Sequence, residues 1–191
     1  MEEHAATGGR APMGGPELGP MTDTTNTRSD VAAILLAHSR AADRDLFAAC
    51  RSLTDKQLDR AFAMGPGSIR ATLAHNIGAM QVWADAYAGR PRRGWLPDEG
   101  PRSLTELERL AEEAHEEWAT IAGSHPLDTV LERQRDGKTQ RFTRAHIIAH
   151  VTTHSVHHRA QMINMLRQLG VSPLPTGSAM SWVTTSLDLA R

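Results

Sequence analysis

Apolar residues recur at helical spacing along four stretches of the chain, and each stretch opens on a residue suited to cap a helix. After Ser29-Asp30, the run Val31-Ala32-Ala33-Ile34-Leu35-Leu36 continues through Leu46 and Phe47 to Cys50 without a breaker and predicts helix one over residues 30–51. Ser68 caps a second stretch, 69–88, with two apolar sides: Ile69, Leu73, Ile77, Met80, Ala84 and Tyr87 on one, Ala71, Gly78, Ala79, Val82 and Ala86 on the other. Helix two should therefore be buried nearly all round, with His75 on the small-residue side, where a neighbouring helix can come close. Ser103-Leu104-Thr105-Glu106 is a capping box for helix three, 104–122, which Gly123 ends. Thr143 caps helix four, 144–169, closed by Gly170 with Pro173 beyond.

The connections are equally marked. Leu53 to Leu58 predicts a short capped turn of helix, Met64-Gly65-Pro66-Gly67 breaks the chain before helix two, and Gly89 to Pro101, rich in Gly and Pro, predicts a loop. Segments 129–135 and 138–142 flank Asp136-Gly137, a strong turn signal, and predict a small two-stranded flap. The expected fold is all-α: a four-helix bundle, with a small β-hairpin between helices three and four, forming one domain over residues 29–191. Residues 1–28, rich in Gly, Pro, Thr and Ala with no apolar period, are expected to be a disordered extension, and the last twenty or so residues show no period.

Composition narrows the partners. The formal net charge is −1 with no block of like charge, so neither nucleic acid nor an anionic membrane is an expected partner. The longest apolar run, Val31 to Ala37, is far too short to span a bilayer, and the N-terminus lacks the order of a secretory signal, so a cytoplasmic location is expected. Cys50, the single cysteine, sits in Leu46-Phe47-Ala48-Ala49-Cys50 and reads as a buried, inert thiol.

The chemistry lies in the histidines. His146, His150, His154, His157 and His158 make up half of the ten in the chain and all fall on helix four. At about 100° per residue they occupy an arc of roughly 120°, joined by Gln161 and bordering the core face. Histidines four apart can reach a single ion, and the pairs His146/His150, His150/His154 and His154/His158 all qualify. They cannot all share one, because two helical turns span about 11 Å and zinc–nitrogen bonds about 2.1 Å. Imidazoles in this number suit Zn, Ni, Fe or Cu. There is no His-Glu-x-x-His, no Gly-x-Ser-x-Gly elbow and no phosphate-cradling glycine loop. His115, within Glu112-Glu113-Ala114-His115-Glu116-Glu117, reads as part of a solvated acidic helix face rather than as a further ligand.

Two strings carry a resemblance. Gly67-Ser68-Ile69-Arg70-Ala71-Thr72-Leu73-Ala74-His75 and His150-Val151-Thr152-Thr153-His154-Ser155-Val156-His157-His158-Arg159-Ala160-Gln161 resemble the DinB/YfiT-like family of metalloenzymes over about residues 30–170. The resemblance implies a four-helix bundle, commonly a homodimer, with a metal held by one histidine of helix two and two of helix four. By motif these fall on His75, His154 and His158, with coordination positions left open to water or a small-molecule substrate. Characterised relatives include transferases and isomerases that use low-molecular-weight thiols such as mycothiol or bacillithiol.

The resulting expectation is a metal-dependent enzyme, an S-transferase or isomerase using such a thiol, or a hydrolase, with zinc or nickel first and iron or manganese next. His150 and His157 are candidates for partners of the ligands or proton carriers, and Gln161 for orienting His158 or binding water. The rival is a non-enzymatic metal-binding or stress-response dimer or scaffold. A structural site is normally closed by four ligands, often with cysteine, and Cys50 is far from the motif, which favours catalysis.

Overall fold

The protein is described by a computed structural model over residues 30–188, with side chains through residue 184; the predicted N-terminal extension lies outside the described residues. The four long helices form where the caps place them: α1 (Val31–Cys50), α3 (Ile69–Ala88), α4 (Leu104–Ile121) and α5 (Arg144–Gln168), with a one-turn helix α2 (Asp55–Leu58) after α1. Asp30 accepts hydrogen bonds from the Ala32 and Ala33 amides, and Ser68 from the Ala71 amide at 3.1 Å, so donors that an isolated helix start leaves orphaned are met. Ser103 and Glu106 form the predicted capping box. At α5 a histidine takes the place of the usual Glu: Thr143 Oγ1 accepts from the His146 amide, and His146 Nδ1 accepts from the Thr143 amide at 3.1 Å.

α1 packs on α4 and α5, and α3 packs on the same two, so α1 and α3 lie on one diagonal of the bundle and α4 and α5 on the other. The antiparallel hairpin β1 (Val130–Arg135) and β2 (Lys138–Thr143), register Arg135↔Lys138 around the Asp136-Gly137 turn, carries the chain across the second diagonal. No residue of α3 is exposed, as its two apolar sides require. Among the described residues no helix is long and apolar enough to cross a membrane.

The core has two apolar clusters. One joins Leu46, Phe47 and Cys50 to Leu73, Ile77, Leu107, Met162 and Leu166; the other joins Leu36, Met80, Tyr87, Trp118, Ile147 and Val151. Between them along the helices lies a buried polar layer. Asp43 on α1 takes a hydrogen bond from Arg159 on α5 at 3.0 Å and meets His115 Nε2 on α4 at 2.8 Å, and Ser155 Oγ donates to Asn76 Oδ1 at 3.2 Å. Arg159 also donates to Ser39 Oγ at 2.9 Å.

Two elements depart from the sequence expectation. The C-terminal stretch forms helix α6 (Ala179–Asp188) against α1, where Ser178 Oγ accepts from the Ser181 amide and Trp182 meets His38 at 5.7 Å between ring centroids. A helix of ten residues, half of them polar, is too short to display a period. The loop after α3 contains a 3-10 turn, Leu96–Glu99, whose Leu96 is buried in the first cluster. Gly78 makes room for it: a Cβ there would stand 3.1 Å from Trp95, 3.2 Å from Pro97 and 3.3 Å from Leu96. The small-residue side of α3 is thus closed at Gly78 by a loop rather than by a helix.

Candidate metal centre

α3 presents His75 and α5 presents His154 and His158, one turn apart, to a common point. His154 Nε2 stands 3.3 Å from His75 Nε2 and 3.2 Å from His158 Nε2, and one donor atom from each of the three lies within 4.8 Å of the others. Bonds of about 2.0–2.1 Å to one ion would set two nitrogens about 3.3 Å apart along a tetrahedral edge. The donor set fits a borderline divalent cation: three imidazole nitrogens with no carboxylate or thiolate among them. A hydrogen-bonded arrangement would serve the three less well, since a ring nitrogen offers either one N–H or one lone pair.

Electrostatics keep these rings neutral. Burial, with smaller contributions from His158, His75, His150 and His157, lowers the His154 pKa to about 4. Burial lowers His75 and His158 as well; for His158 the hydrogen bond to Gln161 works in the opposite direction. Near pH 7 the lone pairs a cation needs are therefore available.

The surroundings orient the rings. His158 Nδ1 donates to Gln161 Oε1 at 2.9 Å, which leaves its Nε2 as the lone-pair nitrogen aimed at the common point. The Gln161 amide nitrogen donates to His157 Nε2 at 3.0 Å. The turn before α3 presses on this amide: Gly65, at φ +52°, is so close that a Cβ on it would overlap Gln161 Oε1. On the other flank Trp95 meets His75 edge-on at 5.4 Å, with the ring planes at 86°.

A family model for the DinB family matches residues 21–184. The chain belongs to the DinB family. The match runs past residue 170, where the sequence resemblance ended, and takes in most of α6. No curated protein is detectably similar to the chain.

In this DinB-family protein the remaining histidines of α5 divide by task. His150 lies one turn before His154, its ring 5.4 Å from His154 and 4.8 Å from Trp83. Burial, and secondarily Arg133, lowers its pKa. Arg133 of the hairpin lies over Trp83 at 4.7 Å and Phe142 at 5.4 Å, so the flap packs beside the histidine stripe. His157 is exposed and reaches the three-histidine cluster through Gln161. His146 is spent on the α5 cap, which removes the pair His146/His150 from the candidate chelates.

Two further readings are resolved. Cys50 is fully buried and its thiol is pushed up to about 12, as an inert thiol requires. His115 corrects the expectation of a solvated face: it is buried against Asp43, on the face that α4 shares with Leu107, Ala111 and Trp118. Sequence reading missed Trp95, and saw Gly65 only as a turn. A tryptophan between Pro and Gly in a loop carries no periodic signal, and the contact of Gly65 with Gln161 spans 96 residues of sequence.

Proposed function

We propose that His75, His154 and His158 hold one divalent metal ion, and that the protein is a metal-dependent enzyme directing a thiol or a water at an electrophilic carbon of a small molecule. The observation that carries this reading is the convergence of three Nε2 atoms from two helices. Three protein ligands leave a position open, as in catalytic rather than structural zinc sites. When bound, such an ion supplies Lewis acidity, which lowers the pKa of a thiol or water beside it.

The chain's own residues supply the rest. Gln161 holds the proton on His158 Nδ1 and so fixes which nitrogen faces the ion, and His157 in turn holds the Gln161 amide; both are positioning residues. His150, neutral near pH 7 and one turn from His154, takes up the proton that the nucleophile releases. Zinc or nickel suits three imidazoles, with iron or manganese next. The family resemblance supports a low-molecular-weight thiol as co-substrate and a homodimer, and the short apolar runs of the sequence fit a cytoplasmic location.

The test is metal content, by inductively coupled plasma mass spectrometry, of protein made without a histidine tag. About one ion per chain is expected in the wild type and in His150→Ala, and essentially none in His154→Ala. A wild type that holds no metal after incubation with zinc, nickel or manganese salts would overturn the proposal.

A further inference from the structure

The hairpin beside the histidine stripe divides its charges between its two faces. In the register Leu131↔Phe142, Arg133↔Gln140 and Arg135↔Lys138, directly opposed residues share one face. Leu131 and Phe142 pack against the second apolar cluster, so this face is turned to the bundle. It carries Arg133, Arg135 and Lys138 and no acidic strand residue. Glu132, the one acid within the two strands, lies on the opposite face, where Arg141 pairs with it at 2.9 Å.

Arg133 is the member of this cationic face that reaches the candidate site. Its guanidinium lies over Trp83 at 4.7 Å and Phe142 at 5.4 Å, and its Nε donates to Gln140 Oε1 at 2.7 Å. The two terminal nitrogens meet no acceptor among the described residues. Other half-buried or buried arginines are matched: Arg40, Arg70, Arg93, Arg102 and Arg159 each face a carboxylate, and Arg144 gives its Nε to the Tyr87 carbonyl. Partial burial, and secondarily Arg135, lowers the Arg133 pKa from its ordinary value, so its charge stands where water solvates it poorly and an opposite charge is attracted more strongly. Two aromatic faces and Gln140 already hold the side chain, which leaves little freedom to lose on binding, and the free end is a planar fork that matches a carboxylate.

We infer that Arg133 is the anion-binding residue of this site, and that the small molecule acted on carries a carboxylate held end-on by the Arg133 fork. His150 lies between that fork and the metal centre, its ring 4.8 Å from Trp83 and 5.4 Å from His154. The carboxylate is therefore not the reacting group: it anchors one end of the molecule under the hairpin while the other end extends past His150 to the ion. Binding energy gained at a part that does not react can position the part that does. This deepens the proposed function and rests on it for the reacting end alone; the carboxylate site stands on the hairpin. The single formal net charge of −1 and the lack of a basic block fit a small anion rather than a nucleic acid.

The test uses zinc-loaded, 15N-labelled protein and two matched probes, 4-phenylbutyrate and 4-phenylbutanamide, followed by NMR at the Arg133 Nε–H and the Trp83 indole N–H, with zinc content measured in parallel. 4-Phenylbutyrate is expected to shift both signals saturably and to bind about tenfold or more tighter than the amide. Arg133→Gln should keep its zinc and lose that preference. Should the variant not fold, the wild-type comparison of the two probes at the Arg133 Nε–H decides alone. Zinc bound with no preference for the carboxylate, or with an equal preference in Arg133→Gln, overturns the inference and leaves the metal centre standing. Arg133-dependent binding of 4-phenylbutyrate in a protein that takes up no zinc overturns the metal centre and leaves the carboxylate site.

Discussion

Replacing Gly65 by alanine tests whether the turn before α3 sets the properties of a histidine on α5. The substitution acts in two ways. Gly65 has φ +52°, in the left-handed region, where a Cβ costs about 1–2 kcal/mol in any protein. The new Cβ would also overlap Gln161 Oε1 and lie 3.1 Å from its Cδ, so the flexible amide must swing away and release His158 Nδ1. Loss of such a partner to a metal-ligating histidine typically weakens metal binding about 10–100-fold. Gly67→Ala is the internal control: it lies in the same turn with φ +98°, so it carries the backbone strain, but its Cβ would meet nothing within 4 Å. The expected result is a loss of stability in urea for both variants, and a loss of zinc affinity, read by competition with a chromophoric chelator, for Gly65→Ala alone. In a Gln161→Ala background, Gly65→Ala should lower stability with no further effect on zinc, a coupling that a double-mutant cycle measures. Equal losses of zinc affinity in Gly65→Ala and Gly67→Ala would refute the clamp.

Other outcomes follow from the same geometry. Stripping metal with a chelator should leave the far-UV circular dichroism nearly unchanged, because both apolar clusters form without the three histidines, while the melting temperature falls by mass action; collapse of the helical signal would make the ion structural. The His154 pKa is lowered to about 4 against an ordinary value of 6.5, so between those values the unfolded chain binds the extra proton. The metal-free protein should therefore lose stability as pH falls from 6.5 toward 4, and His154→Ala should flatten that slope; equal slopes in urea titrations would argue against a neutral buried ring. Asp43→Ala leaves Arg159 buried without its carboxylate and should cost about 3–5 kcal/mol in denaturant unfolding, whereas a loss below about 1 kcal/mol would mean that water reaches the layer.

The caps made most of the fold legible. Asp30, Ser68, Ser103 and Thr143 each bind the amides that the sequence pattern assigns to them, and Asp136-Gly137 turns the hairpin as its composition predicts. Local chemistry decides these features, and so a single sequence displays them. What was illegible depends on partners distant in sequence. The acidic neighbours of His115 suggest water, yet its spacing from Ala111 and Trp118 sets it inward, and only the fold brings Asp43 within reach from 72 residues away. At the candidate site, spacing on α5 narrowed the ligands to three overlapping pairs and could not choose among them. The structure separates them by bringing His75 to His154 and His158 and by committing His146 to the cap of its own helix.

The polar layer at mid-bundle gives α5 a single rotational setting. Its neighbours His158 and Arg159 face different helices: one ring is turned toward His75 on α3, the other side chain is bonded to Asp43 and Ser39 on α1. Sliding α5 by one residue turns its faces by about 100° and would carry the guanidinium away from Asp43 to the setting of His158 or of exposed Ala160, whereas Leu, Met and Ala in the apolar clusters could repack around many settings. A version of this bundle with an all-apolar middle would keep the three histidines in its sequence and lose the device that makes them meet.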